Sequence, residues 1–457
     1  MKEYTQWKME ALPVGVPQVE EKVFVTSNDG DGLTPETLEQ WIRRHQTLLP
    51  HYRALKEMYE DAYPILNAPR KERYKPDNRL VVNFAKYIVN TFNGYFIGTP
   101  IKTTHEDDKV NNYLDYLDGY NNLDDQNAEL SKVCSIYGHG YELLFNDERA
   151  QVGVTYLTPL DGFMVYDDSI RRKPLYGVRY YYDEEGKLAG TWSDSEKIIY
   201  FKQGEKSLYW DEEEPHPFDG VPMVEYVENE ERKGVFESVA TLINAYNKAV
   251  SEKANDVDYY ADAYLKIVGA MLEDDALQKL RDSRIINVPY LDGNKADISF
   301  LEKPSNDDTQ ENLLNRLERL IFQVAMVSNI SDKNFGEASG ISLRYKLQPM
   351  DNLAKTKERK FTGAMNKRYQ LIASFPTSPI SGDDWVRIRY KFTRNIPANL
   401  LEESQIAQNL AGIVSEETQA GILSIVPNAR EEIERKRAEI EGNDGEEWPR
   451  VNSNDDE

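Results

Sequence analysis

The sequence predicts an α+β protein in which helices and a strand-rich region occupy different parts of the chain. Three observations support this fold class. Helical patterns dominate the first third, short alternating patterns typical of β-strands fill residues 141–227, and long helical patterns follow from residue 234. Such separation of strands from helices is typical of α+β proteins. With 457 residues, the chain has room for two or more domains.

The N-terminal region begins with a polar segment, residues 1–33, whose Pro and Gly content predicts a flexible arm. Thr34 followed by Pro35 is typical of a capped helix start, and we expect this helix to end at about Tyr63, before Pro64. Apolar residues at helical spacing predict two further helices, Val81 to Phe96 and Asp124 to Tyr137.

The strand-rich region consists of short runs in which apolar and polar residues alternate. The predicted strands are Tyr141 to Phe145, Gly153 to Leu157, Phe163 to Tyr166, Tyr176 to Tyr182, Leu188 to Trp192, Ile198 to Lys202 and Val224 to Val227. Residues 183–186 read as a hairpin turn. We interpret Asp211 to Pro217 as an acidic loop.

Two long helices follow, and a small unit separates them. The first is predicted from Gly234 to Val268, the second from Asp307 to Ser328. The second helix carries an apolar seam with heptad-like spacing: Leu313, Leu317, Leu320, Val324 and Val327. Between the helices, Asp292-Gly293 predicts a hairpin that joins strands at residues 284–289 and 297–302.

A loop and a basic helix come next. The loop, Asn329 to Ser342, contains Gly336 and Gly340, and the helix should run from Leu343 to Phe375. We expect a kink or weak point at Pro349 and Gly363. Eight basic and two acidic residues lie between positions 344 and 368, in a chain whose formal charge is −24.

The C-terminal region is predicted to contain one strand, Trp385 to Thr393, and then helices. Asn399 with Glu402, and Asn428 with Glu431, have the spacing of a helix cap and its reciprocal acid. Residues 442–457 are strongly acidic, which predicts a disordered tail.

The composition argues against several functional classes. A net charge of −24 is unusual for a simple nucleic-acid binder, which needs positive charge to neutralise phosphates. The single cysteine, Cys134, excludes an intramolecular disulfide. No apolar signal core is evident at the N-terminus, and the most apolar run, Leu80 to Gly98, contains several polar residues, so we expect no membrane segment.

The sequence contains no catalytic signature. Gly336 to Ser342 lacks the Gly-Lys-Ser/Thr ending of a phosphate-binding loop, and no strand pattern precedes it. The five histidines are scattered, and the acidic doublets are explained by the abundance of Asp and Glu. We therefore expect no cofactor, no metal site and no enzymatic activity.

The long segments resemble portal proteins of tailed bacteriophages, in particular the branch found in phages of Gram-positive hosts. The similarity is carried by VPMVEYVENEERKGVFESVATLINAYNKAVSEKANDVDYYADAYLKIVG, SGISLRYKLQPMDNLAKTKERKF and FTRNIPANLLEESQIAQNLAGIVSEETQAGIL. The segments LVVNFAKYIVNTFNGYFIGTPI and TPLDGFMVYDD also resemble the family, which covers about Thr34 to Glu441.

The resemblance implies a ring, most often a dodecamer, at one capsid vertex of the virion. It divides the chain into an arm (1–33), a wing (34–233, joined by 376–396), stem helices (234–268 and 307–328), a clip (269–306), a tunnel loop with its long helix (329–375), a crown (397–441) and a tail (442–457). The ring, assembled in the host cytoplasm, would pass double-stranded DNA during packaging and ejection. Its other partners would be the large terminase subunit, head-completion or adaptor proteins, and the major capsid and scaffolding proteins.

The resemblance also implies which residues face the DNA. In the tunnel loop they are Asn329, Lys333, Asn334, Gly336, Glu337, Ser339 and Gly340. The basic residues of the following helix, which contact either DNA or a neighbouring subunit, are Arg344, Lys346, Lys355, Lys357, Arg359 and Lys360. We favour ion pairs between subunits for this second set, because the acidic surroundings offer many partners. A solvated or salt-bridged helix face is the plainer explanation.

Two other functional classes stay open at this point. One is a metal-dependent enzyme of the packaging machinery that acts on nucleic acid, and the other is a helical structural protein of a different large assembly. The missing phosphate-binding motif weighs against the first. The hairpin between two long helices weighs against the second.

Overall fold

Helices and two larger β-sheets form most of the described part of the chain in the computed structural model. The structure describes residues 21–27, 32–72, 75–261, 265–268, 297–300, 307–330, 340–395, 400–423, 425–426 and 429–443. Contacts divide the chain into two compact units. The first comprises residues 1–337 and 345–394, and the second comprises residues 338–344 and 395–457. The mixed α+β class predicted from the sequence is confirmed.

Four helices build the N-terminal part of the first unit: α1 (Pro35–Tyr59), α2 (Phe84–Ile97), α3 (Asp108–Asn121) and α4 (Leu123–Tyr137). The predicted cap is present, since Thr34 accepts a hydrogen bond from the amide of Thr37. Helix α1 ends four residues earlier than expected, because Asp61 adopts a left-handed conformation with φ of 69°. Helix α3 was not predicted; Asp107 caps it by accepting from the amides of Lys109 and Val110.

The larger sheet has six strands in the order β1-β5-β6-β7-β8-β9. Its strands are β1 (Phe24–Thr26), β5 (Gly162–Asp167), β6 (Pro174–Tyr182), β7 (Leu188–Ser193), β8 (Lys197–Gln203) and β9 (Leu208–Pro215). Strand β1 is parallel to β5, and all the other neighbours are antiparallel. The predicted hairpin between β6 and β7 is confirmed.

The acidic loop predicted at residues 211–217 is wrong for most of its length. Residues 211–215 belong to β9, which pairs with β8 from Gln203↔Leu208 to Lys197↔Pro215. The carboxylates of this strand are exposed, and Pro215 lies at its end. A strand at the edge of a sheet tolerates both features, because only one of its two edges is hydrogen-bonded.

A second sheet has the order β10-β3-β4, with strands Met223–Val227, His139–Asn146 and Val152–Leu157. Apolar side chains from the two sheets pack together around Tyr141, Met164, Tyr166, Val221 and Met223. Helix α4 packs on β3 and β4, and helices α1, α2 and α3 all pack against α4. Helix α4 is therefore the centre of this part of the core.

The first long helix is shorter than predicted. A 3₁₀ turn, Glu237–Val239, leads into α5 (Ala240–Ala261), and Leu265–Val268 is a strand, β11, instead of the helix end. Strand β11 pairs antiparallel with β12 (Asp297–Phe300). The predicted hairpin partner of β12, at residues 284–289, lies outside the described residues. Alternating Leu265 and Ile267 satisfy a strand as well as a helix, which explains the error.

Two further long helices follow. Helix α6 (Asp307–Ala325) packs against α5 in the first unit. Helix α7 (Gly340–Ala373) belongs to the first unit from Tyr345 onward and continues through both Pro349 and Gly363. The strand predicted from Trp385 to Thr393 is confirmed only as β13 (Arg389–Lys391), which pairs with β2 (Lys102–Thr104). The residues before it form a 3₁₀ turn, Asp384–Arg387, where the aromatic and apolar side chains resemble a strand pattern.

The second unit contains α8 (Leu400–Asn409), α9 (Glu416–Ala420) and α10 (Ala429–Asn443). Helices α8 and α10 begin directly after Asn399 and Asn428, as their capping patterns predict. Ser415 caps α9 by accepting from the amide of Thr418. Helices α9 and α10 pack together, and Arg437 lies 3.6 Å from a carboxylate oxygen of Glu416.

Candidate functional site

Helix α7 carries the basic residues that the sequence singles out, and one of them is completely buried. The Nζ of Lys357 lies 2.7 Å from Oε2 of Glu228. It also donates to the backbone oxygen of Ser131 at 2.9 Å and to the hydroxyl of Ser135 at 2.8 Å. Three aromatic rings surround the ammonium at 5.1–5.4 Å: Phe92, Phe96 and Phe361. The structure therefore removes Lys357 from the residues expected to contact DNA or a neighbouring subunit.

A second cation of α7 is also internal. Arg368 is fully buried, and its Nε donates to Glu142 at 2.8 Å while its Nη2 donates to Glu142 and, at 2.6 Å, to Asn127. The guanidinium also lies over the ring of Tyr226, at 5.6 Å from its centroid. A planar guanidinium that donates two hydrogen bonds to one carboxylate fixes both the distance and the relative orientation of the two groups. Arg368 thus ties α7 to strand β3 and helix α4.

The remaining basic residues of α7 lie near or at the surface. Lys355 pairs with Asp351 one turn earlier, at 2.7 Å, and Lys360 pairs with Glu230. Arg344, Lys346 and Arg359 are exposed. Of the six basic candidates, Lys357 is buried, Lys360 is half-buried, and the other four are exposed.

The structure describes only the two ends of the predicted tunnel loop. The side-chain amide of Asn329 donates to Glu318 at 3.0 Å, which fixes the end of α6. Gly340 is the first residue of α7, so Gly340 and Ser342 are helical and the loop is shorter than predicted. The other candidates lie outside the described residues: Lys333, Asn334, Gly336, Glu337 and Ser339.

Helix α6 has two apolar stripes, and only one of them faces the core. Leu314, Ile321 and Ala325 are buried. The predicted seam is different: Leu313 and Val324 are 50% and 48% exposed, Leu317 and Leu320 are half-buried, and Val327 alone is buried. Two of the five seam residues are therefore about half exposed, two are partly covered and one is buried. The two exposed and the two partly covered residues form an apolar stripe on α6 that the subunit does not fully cover.

Helix α5 holds the segment before α2 through a polar ladder made of Asn247, Ser251 and Asn255. These side chains accept hydrogen bonds from the amides of Val82 (2.8 Å), Leu80 (2.9 Å) and Asn78 (2.6 Å). Spacing of four residues places the three acceptors on one helix face, and all three are buried. The sequence analysis missed them, although small polar residues repeated every fourth position in an apolar helix were a usable signal.

A buried carboxylate organises the chain where it enters α5. Glu225 accepts from Arg232 Nε and Nη2 at 2.8 Å each, from Tyr166 at 2.6 Å, and lies 2.9 Å from Nδ1 of His139. Burial alone would raise the pKa of Glu225. The hydrogen bonds from Arg232 and His139 outweigh that effect, so the pKa lies well below its usual range. This carboxylate therefore stays charged and holds residues 225–232 on the sheet.

A close backbone contact supports the same turn. Gly138 has a φ of 89°, and a Cβ atom there would lie 2.0 Å from the backbone oxygen of Arg232. Only glycine fits this position. The chain before α5 is consequently held by a buried carboxylate and by direct backbone packing.

Within the part of the chain that the structure describes, no cluster of three or more His, Cys, Asp or Glu side chains is arranged to hold a metal ion. No helix there combines the length and apolar character that crossing a membrane requires.

Two phage portal proteins and one chain of a solved particle are similar to this chain. The portal protein of Bacillus phage SPP1 is 25% identical over 407 residues, which cover 81% of this chain and 78% of that protein. The portal protein of Clostridium phage phiCD119 is 23% identical over 202 residues, only 44% of either length. A chain in the solved neck of an empty GTA particle, computed with C6 symmetry, is 14% identical and covers 74% of this chain and 89% of its own length, with a TM-score of 0.42.

The sequence profile of phage portal proteins described as SPP1 Gp6-like matches residues 38–446, most of the chain. This confirms the resemblance to portal proteins of phages from Gram-positive hosts, since both named relatives come from such phages. The chain belongs to the SPP1 Gp6-like family of phage portal proteins.

Proposed function

We propose that this portal protein forms a closed ring, most often of twelve copies, that serves as the DNA channel at one capsid vertex. Beyond family membership, the apolar stripe on α6 carries this proposal. Leu313 and Val324 are about half exposed, and they continue the stripe of Leu317 and Leu320. An apolar stripe at heptad-like spacing is favourable when another helix covers it. A neighbouring copy in a ring supplies such a helix.

The proposal assigns the regions of the chain to the parts of a portal subunit. Residues 34–233 with 376–396 form the wing, α5 and α6 the stem, residues 269–306 the clip, and residues 397–441 the crown. Double-stranded DNA passes through the ring. The large terminase subunit docks during packaging, head-completion proteins bind afterwards, and the major capsid and scaffolding proteins surround the wing. Assembly takes place in the host cytoplasm.

A test of ring formation uses negative-stain microscopy and mass measurement of the purified protein. We expect rings with a central hole. Leu313→Glu with Val324→Glu should lower the assembly constant at least about tenfold, because burying each apolar side chain contributes about 2 kcal/mol. Asn315→Glu with Gln323→Glu is the matched control on an exposed part of the same helix. Monomers of the unmodified protein at every concentration would contradict the proposal.

The loop between α6 and α7 is proposed to face the DNA. Its glycine at position 336 provides backbone freedom, and its charged residues Asp332, Lys333 and Glu337 leave it slightly acidic, so that it does not grip phosphates. Gly336→Pro should leave rings and capsids intact while DNA packaging drops. Gly340→Ala is the control, because position 340 lies in α7, and alanine is favoured over glycine in helices. Normal packaging with Gly336→Pro would leave the loop as a simple connector.

Of the six basic candidates on α7, only the buried Lys357 leaves the proposal. Arg344, Lys346, Lys355 and Arg359, which are exposed, and the half-buried Lys360 are offered as contacts to DNA or to a neighbouring subunit. We also expect the purified protein to hydrolyse neither ATP nor DNA, because portal proteins are structural. Metal-dependent cleavage that one carboxylate substitution abolishes would contradict this expectation.

A further inference from the structure

The turn between β5 and β6 has an unusual composition for an exposed hairpin tip. Residues 169–173, called the tip below, present Ile170, Arg171, Arg172 and Lys173 to solvent, and the side chain of Ile170 is fully exposed. Three consecutive cations stand out in a chain of formal charge −24. Neither Arg171 nor Lys173 forms an ion pair among the described residues.

The tip is held in one shape by its own hydrogen bonds. Oδ1 of Asp167 accepts from the Ser169 hydroxyl at 2.6 Å and from the amide of Lys173 at 2.7 Å. The amide of Asp167 donates to the backbone oxygen of Lys173 at 2.9 Å. Arg172 supplies the left-handed residue of the turn, with φ of 46°. A rigid tip loses little conformational entropy on binding, so it suits a contact.

Strand β9, at one edge of the same sheet, has complementary chemistry. Strand β9 is the last strand of the sheet, and no further strand pairs with it in the described part of the chain. The register places Tyr200, Tyr209, Glu212 and Glu214 on one sheet face, and all four are exposed. This set is called the β9 surface. It combines exposed aromatic rings with carboxylates, whereas Lys202 beside them is already paired with Asp211 at 2.7 Å.

The tip and the β9 surface lie apart on one subunit. Strand β5 is separated from β9 by four strand intervals, about 19 Å at the usual spacing. A head-to-tail ring brings two different surfaces of the same chain together at each contact. Copies that each carry −24 also repel one another, so a contact in which Arg171 and Lys173 meet carboxylates offsets part of that repulsion.

We propose that, in the ring, the tip of one copy docks on the β9 surface of the next copy, with Ile170 against Tyr200 and Tyr209, and Arg171 and Lys173 against Glu212 and Glu214. The partner is a second copy of this chain, because its β9 surface offers both aromatic rings that match Ile170 and carboxylates that match the cations of the tip. This inference rests on the proposed ring and specifies one of its contacts.

The test is a charge reversal with rescue, measured as ring yield by negative-stain microscopy and mass measurement. Arg171→Glu with Lys173→Glu should lower the assembly constant at least about tenfold, and so should Glu212→Lys with Glu214→Lys. A chain with all four changes should recover rings, because the charges match again. Lys109→Glu with Arg149→Glu, both exposed elsewhere in the unit, controls for the added negative charge.

The outcomes separate this inference from the ring itself. An unmodified chain without rings contradicts the proposed function, whereas rings of normal yield in both reversed variants contradict only the docking of the tip. Normal rings together with lost retention on a duplex DNA column would assign the tip to nucleic acid and overturn the inference. If the tip variant does not fold, as judged by circular dichroism, the reversal on the β9 surface tests the same contact.

Discussion

The ammonium of Lys357 and the carboxylate of Glu228 lie 2.7 Å apart, and both side chains are buried, at 0% and 6% exposure. Removing one partner leaves the other charge buried without compensation, which typically costs about 3–5 kcal/mol. Lys357→Met should therefore lower the unfolding midpoint strongly. Lys357→Met with Glu228→Met should recover much of the loss, as measured by urea or thermal unfolding.

The pH dependence of the single variant provides a second check. Burial already raises the pKa of Glu228, against the influence of Lys357 and Ser135. Without the ammonium, the pKa of Glu228 should rise further, so the folded state binds more protons than the unfolded state. The stability loss of Lys357→Met relative to the unmodified protein should then be smallest at acidic pH and grow as pH rises through that pKa. A loss that is the same at pH 5 and pH 8 would contradict this explanation.

The polar ladder predicts a local effect that hydrogen exchange can measure. Ser251→Ala removes the acceptor of the Leu80 amide and should cost about 1 kcal/mol. Faster exchange is expected at Leu80 and its neighbours, with little change in the sheets. Ser207→Ala, at an exposed turn, is the control. Unchanged exchange at residues 78–82 would show that the ladder does not hold this segment.

The buried side chain of His45 should make the protein less stable in mild acid. It lies 2.7 Å from the Tyr180 hydroxyl and 2.9 Å from the backbone oxygen of Pro159, and burial lowers its pKa from 6.5 to about 4. Between these values the unfolded chain binds more protons, so stability should fall by about 3 kcal/mol as pH drops from 6.5 to 4. His139, whose pKa burial also lowers, acts in the same direction.

The measurement is the free energy of unfolding at several pH values, with His45→Phe as the comparison. The substitution should make the curve shallower between pH 6.5 and 4, even if it reduces stability throughout. An unchanged slope would assign the acid sensitivity to other groups, and His139→Phe would then be the next variant to compare.

Replacing Gly363 with alanine should increase the stability of the folded protein. It lies in α7, it is exposed, and a Cβ atom there would meet no other atom within 4 Å. Gly363→Ala should raise stability by about 0.5–1 kcal/mol, because glycine loses more backbone entropy in a helix. Gly138→Ala, which introduces a severe backbone clash, is the opposite case. If Gly363 also serves as a bending point, the stabilised variant should package less DNA.

Structural features that depend on residues close together in the chain were predicted well from the sequence. Thr34 and Pro35 mark the start of α1 because a cap and a first-turn proline act within a few residues. Residues 211–215 were misassigned because four consecutive acids resemble a loop, although β8 and β9 form a local hairpin across residues 204–207. Helix α3 was missed although Asp107 is a usable cap signal.

In the candidate site, too, local patterns were predicted correctly, whereas burial against distant parts of the chain was not. The spacing of apolar residues on α6 correctly indicates a stripe, but only the structure shows that Leu313 and Val324 are left exposed by the core. Lys357 looked like a surface residue, since its sequence neighbours are charged. Its burial depends on Glu228 and Ser135, which are more than a hundred positions away in the chain.

The ladder between α5 and residues 78–82 joins two segments whose hydrogen-bonded residues are spaced slightly differently along the chain. Every second residue of an extended chain advances about 6.6 Å, whereas every fourth residue of a helix advances about 6.0 Å. The mismatch of about 0.6 Å per step is small enough for three bonds of 2.6–2.9 Å but grows with each additional one. The two spacings therefore match only over a short stretch. The hydrogen bonds in this stretch fix the position of residues 78–82 along α5 to within a single residue.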